Sequence, residues 1–206
     1  MKVCVFGGTN PATNPKWYNV AMEMGKLLVA ENFEKVWGGN AHGVLAQINK
    51  EYVEKGAKNT LFMPEAYKDD LETMETDTVV KTTSICERAE QMLAAADAVV
   101  VMPGGIGTIF EFWTAVEVRR AEEYDFDIIL LDYKDFYKHQ LSHYEFIYDE
   151  GFTRIGKGGA PYKICPKDLF VVKETPEEVI AELKKIRKRR KKIDWKNKKV
   201  THQNCV

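Results

Sequence analysis

The 206-residue sequence predicts a single-domain α/β protein: a doubly wound, Rossmann-like parallel sheet with helices on both faces. Three observations predict it. Short runs that are apolar throughout recur along the chain, as at residues 3–6 and 98–102, and strands buried on both faces read this way. Stretches whose apolar residues follow helical spacing alternate with them. Three of the apolar runs end directly in glycine-rich turns, as strands do when they feed a following helix.

The elements follow in order. Residues 3–6 form a first strand ending in Gly7-Gly8. Asn14 then stands as a helix N-cap before Pro15 at the first helical position, and Trp17, Val20, Ala21, Met24, Leu27 and Leu28 make one apolar stripe. A second strand at 35–37 ends in Gly38-Gly39, and a helix through Val44, Ile48 and Tyr52 follows. Residues 60–63 are a third strand, 64–77 a polar, acidic loop with weak helical pieces, and 78–82 a further strand. A helix at 87–96 leads into the strand at 98–102, the turn Pro103-Gly104-Gly105-Ile106-Gly107 and a helix at 108–121. Then come a strand at 128–131, an aromatic-rich helix at 136–148 and a last strand at 169–172. Thr175-Pro176-Glu177-Glu178 reads as a capping box opening the final helix.

Composition narrows the function. With 45% hydrophobic residues the chain can build one sizeable core. The first strand starts almost at Met1, which leaves no room for a signal peptide, and no apolar stretch approaches the roughly 20 residues of a membrane helix. Four scattered cysteines without a CxxC pair fit a reducing compartment and neither a disulfide framework nor a zinc site. A cytoplasmic protein without membrane contact and without metal is expected. Of the 30 basic residues, 11 lie at 184–199 beside one acid, Asp194, so the remainder is acidic. That is not the footprint of a nucleic-acid-binding fold, which spreads its basic residues over a folded face. The expected organisation is therefore a catalytic domain at 1–183 and a basic tail at 184–206, the tail read as a solvated helix end or a contact to an acidic partner.

The glycine turns carry the chemistry. Gly7-Gly8-Thr9-Asn10, Gly38-Gly39-Asn40-Ala41-His42-Gly43 and Gly104-Gly105-Ile106-Gly107-Thr108 all fall at the carboxyl ends of their strands, where open parallel sheets bind ligands. Glycine lets backbone approach a ligand closely, and the next helix offers free N–H groups to an anion. The third turn is neither GxGxxG nor a P-loop, since no Lys-Ser/Thr follows the glycines. Its Thr108 hydroxyl sits where the helix begins and can bond a phosphate oxygen. Glu111, among Phe110, Phe112 and Trp113, is either a solvated charge that complements the helix dipole or a carboxylate aimed into the cleft. His42 is as readily an exposed turn residue as a ligand contact. Cys86 reads as a buried structural thiol, and Phe112 and Trp113 as core or subunit interface.

Pro103-Gly104-Gly105-Ile106-Gly107-Thr108-Ile109-Phe110-Glu111 resembles the PGGxGTxxE signature of the LOG family, the "lysine decarboxylase-like" cytokinin riboside 5′-monophosphate phosphoribohydrolases, at every fixed position. A second family motif is matched by Arg88 and Met92, but Ala89 stands where the family has lysine. The resemblance runs on through residues 127–132, Phe136-Tyr137 and 149–152, and covers about residues 1–183. It implies that Arg88 and Glu111 are catalytic. It further implies that Gly104, Gly105, Gly107 and Thr108 hold a 5′-phosphate, with Gly8, Thr9, Gly39, Asn40 and Met92 contributing to substrate binding. The implied activity is hydrolysis of the N-glycosidic bond of a nucleoside 5′-monophosphate, AMP or a cytokinin riboside monophosphate, by a homodimer that needs no cofactor. The helix carrying Phe110, Phe112, Trp113 and Val116 is the expected dimer face. Similar folds also bind nucleotides or the molybdenum cofactor without hydrolysing them, so a non-catalytic carrier is the alternative. No lysine stands in motif context for a pyridoxal Schiff base, which sets the old decarboxylase label aside.

Overall fold

The structure, a computed structural model, describes residues 1–67, 74–152, 154–155, 162–163 and 169–192. Its elements are β1 (Lys2–Phe6), α1 (Lys16–Ala30), β2 (Glu34–Trp37), α2 (Gly43–Glu54), β3 (Asn59–Pro64), β4 (Thr78–Thr82), α3 (Ile85–Ala94), β5 (Ala98–Val101), α4 (Ile106–Arg120), β6 (Asp127–Leu131), a 3₁₀ turn (Tyr133–Asp135), α5 (Lys138–Asp149), the short pair β7 (Arg154–Ile155) and β8 (Tyr162–Lys163), β9 (Val171–Lys173) and α6 (Pro176–Lys192). Seven strands form one sheet in the order β4-β3-β2-β1-β5-β6-β9, every neighbouring pair parallel. Strand order reverses between β1 and β5, and this switch point is where such sheets open a crevice at their carboxyl edge.

Alternation along the central strands fills two cores. Val3 and Val5 of β1 and Ala98 and Val100 of β5 face α1, α2 and α6; Cys4, Phe6, Val99 and Val101 face α3, α4 and α5. Burial on both faces is why these strands are apolar without interruption.

Four elements differ from the sequence reading by two residues at an end; one of them, α4, begins at Ile106 rather than 108, with Gly105 at its N-cap. α3 begins at Ile85 because Ser84 caps it: the Ser84 Oγ accepts from the Glu87 N–H at 3.1 Å, and the Glu87 carboxylate takes the Thr83 N–H at 2.6 Å. The aromatic helix begins only at Lys138, since Lys134 and Asp135 are both left-handed. β9 spans Val171–Lys173, set by its pairing with β6 rather than by the apolar run at Leu169 and Phe170. Asn14 does cap α1, its Oδ1 accepting from the Lys16 N–H at 3.0 Å. At α6 the Glu178 N–H donates to Thr175 Oγ1 at 3.3 Å, while the Glu178 carboxylate reaches the Glu174 N–H.

The expected domain boundary after residue 183 falls inside α6, whose Ile186 is buried in the core. The basic residues beyond it pair with the acidic amino-terminal edge of the sheet. Lys184 and Arg187 each meet Glu31 at 2.8 Å, Arg189 meets Asp127, and Arg190 lies 3.4 Å from Asp97 and 3.5 Å from Asp125. No helix among the described residues is long and apolar enough to cross a membrane.

Candidate active site

A cleft of about 650 Å³ opens at the carboxyl edge over β3, β2, β1, β5 and the segment after β6. Its floor is the meeting of the three glycine turns. The Gly8 N–H donates to the Pro103 carbonyl at 3.0 Å, and the Gly8 carbonyl accepts from Val44 and Leu45 at 2.7 and 3.2 Å. Two glycines permit this closeness. A Cβ on Gly104 would lie 2.1 Å from Thr108 Oγ1 and 2.8 Å from the Gly8 nitrogen, and one on Gly43, at φ +70°, would lie 2.5 Å from the Gly8 carbonyl oxygen.

The three helices that follow the glycine turns begin at this edge, but they differ in what they offer. At α1 the first N–H groups are taken by Asn14, and at α2 by the Gly8 carbonyl. At α4 the N–H groups of Ile106, Gly107 and Thr108 have no acceptor inside the helix, and Gly105 ahead of them is extended. Of these three starts, that of α4 is the one left able to accept an anion, and the helix dipole would add to it.

One turn further along α4 lies Glu111, 7% exposed. Arg88, placed by the second turn of α3, donates from Nη2 to Glu111 Oε1 at 3.1 Å and from Nη1 to the Gly38 carbonyl at 3.3 Å. Its Nε is buried without a hydrogen-bond partner among the described residues. Burial raises the Glu111 carboxyl to about 7, although Arg88 beside it pulls the other way. A carboxyl poised near neutrality next to a cation, in a cleft, is an arrangement typical of catalytic sites.

Of the residues singled out from sequence, Gly8, Thr9, Gly39, Asn40, Arg88, Gly104, Gly105, Gly107, Thr108 and Glu111 all line this one cleft. Met92 does not: it is fully buried in the core beneath α3, one turn on from Arg88. Ala89 is buried as well. Cys86, expected buried, is exposed. His42 is exposed and does not line the cleft. Phe112 and Val116 are buried in the core rather than offered to a partner, leaving Trp113 half-buried and Phe110 exposed on that helix. Sequence reasoning missed Met63, Tyr67, Met74 and Ile85 at the β3 end of the cleft and Trp17 and Phe136 at the β6 end, where Trp17 meets Phe136 edge to face at 5.0 Å. Their apolar character reads as core, and only the topology brings them to the rim. No lysine lines the cleft among the described residues, and no three His, Cys, Asp or Glu side chains gather there to hold a metal.

Comparison with known proteins agrees with this architecture. The chain is 27% identical over 199 residues to a protein of Oryza sativa subsp. japonica named "Probable cytokinin riboside 5′-monophosphate phosphoribohydrolase", covering 96% of this chain and 78% of that one. It is 27% identical over 152 residues to a cytokinin riboside 5′-monophosphate phosphoribohydrolase of Arabidopsis thaliana, covering 73% and 71%. Among solved structures, the molybdenum cofactor carrier protein of Chlamydomonas reinhardtii superposes with a TM-score of 0.65 at 17% identity, over 91% of this chain and 98% of that one, a likeness of fold. Residues 38–183 match the family model described as "Possible lysine decarboxylase". That stretch holds the second and third glycine turns, Arg88 and Glu111, and by it the chain belongs to this family, the one that includes the LOG-type phosphoribohydrolases.

Proposed function

We propose that the protein hydrolyses the N-glycosidic bond of a nucleoside 5′-monophosphate, releasing the base and ribose 5-phosphate. One observation carries the reading: the Arg88–Glu111 pair stands in the same cleft as the free N–H groups of α4, one helical turn away from them. The amides at Ile106, Gly107 and Thr108 hold the phosphate. Since the starts of α1 and α2 are satisfied by the protein itself, the cleft is equipped for one phosphate rather than for a di- or triphosphate.

With the phosphate on α4, the ribose lies over Arg88 and Glu111, and the base extends towards Met63, Tyr67, Met74 and Ile85. Breaking the bond builds positive charge on the sugar, as in glycoside hydrolysis. The Glu111 carboxylate stabilises that charge and orients water, while Arg88 holds the carboxylate in place through one N–H and keeps others for the substrate. Binding energy from the phosphate, remote from the bond that breaks, positions the ribose. The family description as lysine decarboxylase is not carried over, because the cleft presents no lysine for a Schiff base.

Incubation with a panel of nucleoside monophosphates, with chromatography for free base and ribose 5-phosphate, tests the proposal. Cleavage of at least one monophosphate and not of its nucleoside is expected. Tight binding of a nucleotide without any cleavage would support a carrier instead, the role named for the Chlamydomonas neighbour.

A further inference from the structure

The segment that follows β6 has an unusual course. Lys134 and Asp135 are consecutive left-handed residues at φ 57° and 56°, a conformation that side chains with a Cβ disfavour. Its result is that Phe136 faces the cleft against Trp17 while its neighbour Tyr137 turns inward and is fully buried. The Asp132 carboxylate, at the end of β6, fixes Tyr137 by accepting its N–H at 2.6 Å. The Tyr137 hydroxyl then donates to the Met102 carbonyl at 2.6 Å.

That hydroxyl thus ties down the residue before Pro103, at the point where β5 gives way to the glycine turn. No other side chain is bonded to the backbone of residues 102–104 among the described residues; the remaining ties are backbone ones, from Gly8 to Pro103 and from Met102 to Phe6. We infer that Tyr137 is a positioning residue for phosphate recognition: its hydroxyl holds the glycine turn so that the amides of α4 converge on the anion. The inference rests on the proposed phosphate seat and adds to it a residue outside the glycine signature. Amides that must meet one phosphate lose affinity when the turn carrying them can shift, because binding then has to fix it.

Tyr137→Phe keeps the ring and removes only the bridging oxygen. Calorimetry with ribose 5-phosphate as the probe should show a Kd raised about tenfold or more, and the KM for the cleaved monophosphate should rise in parallel with a smaller change in kcat. Affinity for ribose or the corresponding nucleoside, which lack the phosphate, should stay within about twofold, whereas a general loosening of the fold would weaken both. Wild-type protein that fails to bind ribose 5-phosphate at all would remove the phosphate seat itself. Wild-type binding with an unchanged Kd in Tyr137→Phe would overturn the role of Tyr137 and leave the seat standing. Should the variant fold poorly, Asp132→Ala decides: losing the acceptor that fixes Tyr137 should raise the Kd for ribose 5-phosphate in the same direction, and an unchanged Kd would overturn the inference.

Discussion

At the scale of single residues, Glu111 carries the sharpest expectation. Glu111→Gln should lower kcat by roughly 100-fold or more with nucleotide affinity largely kept, since the lost charge acts on the transition state and not on the ground state. Turnover and affinity measured on one preparation check it. The carboxyl lies near 7, so kcat/KM should be low where it is protonated and climb to a plateau as pH rises through about 7. A flat profile in that window would argue against a catalytic carboxylate. Lys35 poses a separate case. It is buried under Trp37 and Tyr52 with Asn49 Oδ1 at 2.5 Å, and burial holds its pKa well below the lysine range. The unfolded chain therefore binds a proton that the folded one resists, and stability should rise with pH between the folded value and about 10.4. Urea titrations on wild type and Lys35→Met should show that rise in the wild type alone.

At the scale of elements, the caps explain both what sequence revealed and what it hid. The apolar pattern alone starts α3 two residues late, at 87; the hydrogen bonds of Ser84 and Glu87 fix the true start at Ile85. The cap sets the phase of α3 and hence where Arg88 projects. Ser84→Ala should cost about 1 kcal/mol in denaturant unfolding and reduce activity less than Arg88→Ala does. The glycine turns could be read from turn chemistry because they are local in sequence, and Arg88 and Glu111, 23 residues apart, from the family motifs that each belongs to. Met63, Met74, Trp17 and Phe136 could not, because an apolar residue at a sheet edge has the same local signature as one in the core. Met92 shows the converse: it belongs to a motif by spacing, but its side chain packs behind the cleft.

At the scale of the whole molecule, the sheet separates two tasks. The candidate site sits at the carboxyl edge, while the basic residues of α6 tie down the acidic amino-terminal edge through Glu31, Asp97, Asp125 and Asp127. Truncation after Ile186 should lower Tm by about 2–5 °C and leave kcat unchanged, as thermal scans and initial rates on the same truncated protein would show. Association is the other expectation at this scale. Trp113, Ile147 and Phe152, the last 80% exposed, line an apolar groove between α4 and α5, and a second copy of the chain laid on it would cover them. Light scattering should give about twice the 23.6 kDa of one chain.

The cleft described above is asymmetric in how it is encoded. On the proposed reading its phosphate end is made of main-chain amides, which every residue but proline possesses, held up by glycines and a buried tyrosine. Its far end is made of the side chains of Met63, Tyr67, Met74 and Ile85. If mononucleotides are its substrates, single substitutions at the far end could exchange one nucleobase for another while the amides at the other end pass on untouched. Diversity of substrate within one lineage, with constancy of the phosphate, is the history this architecture favours.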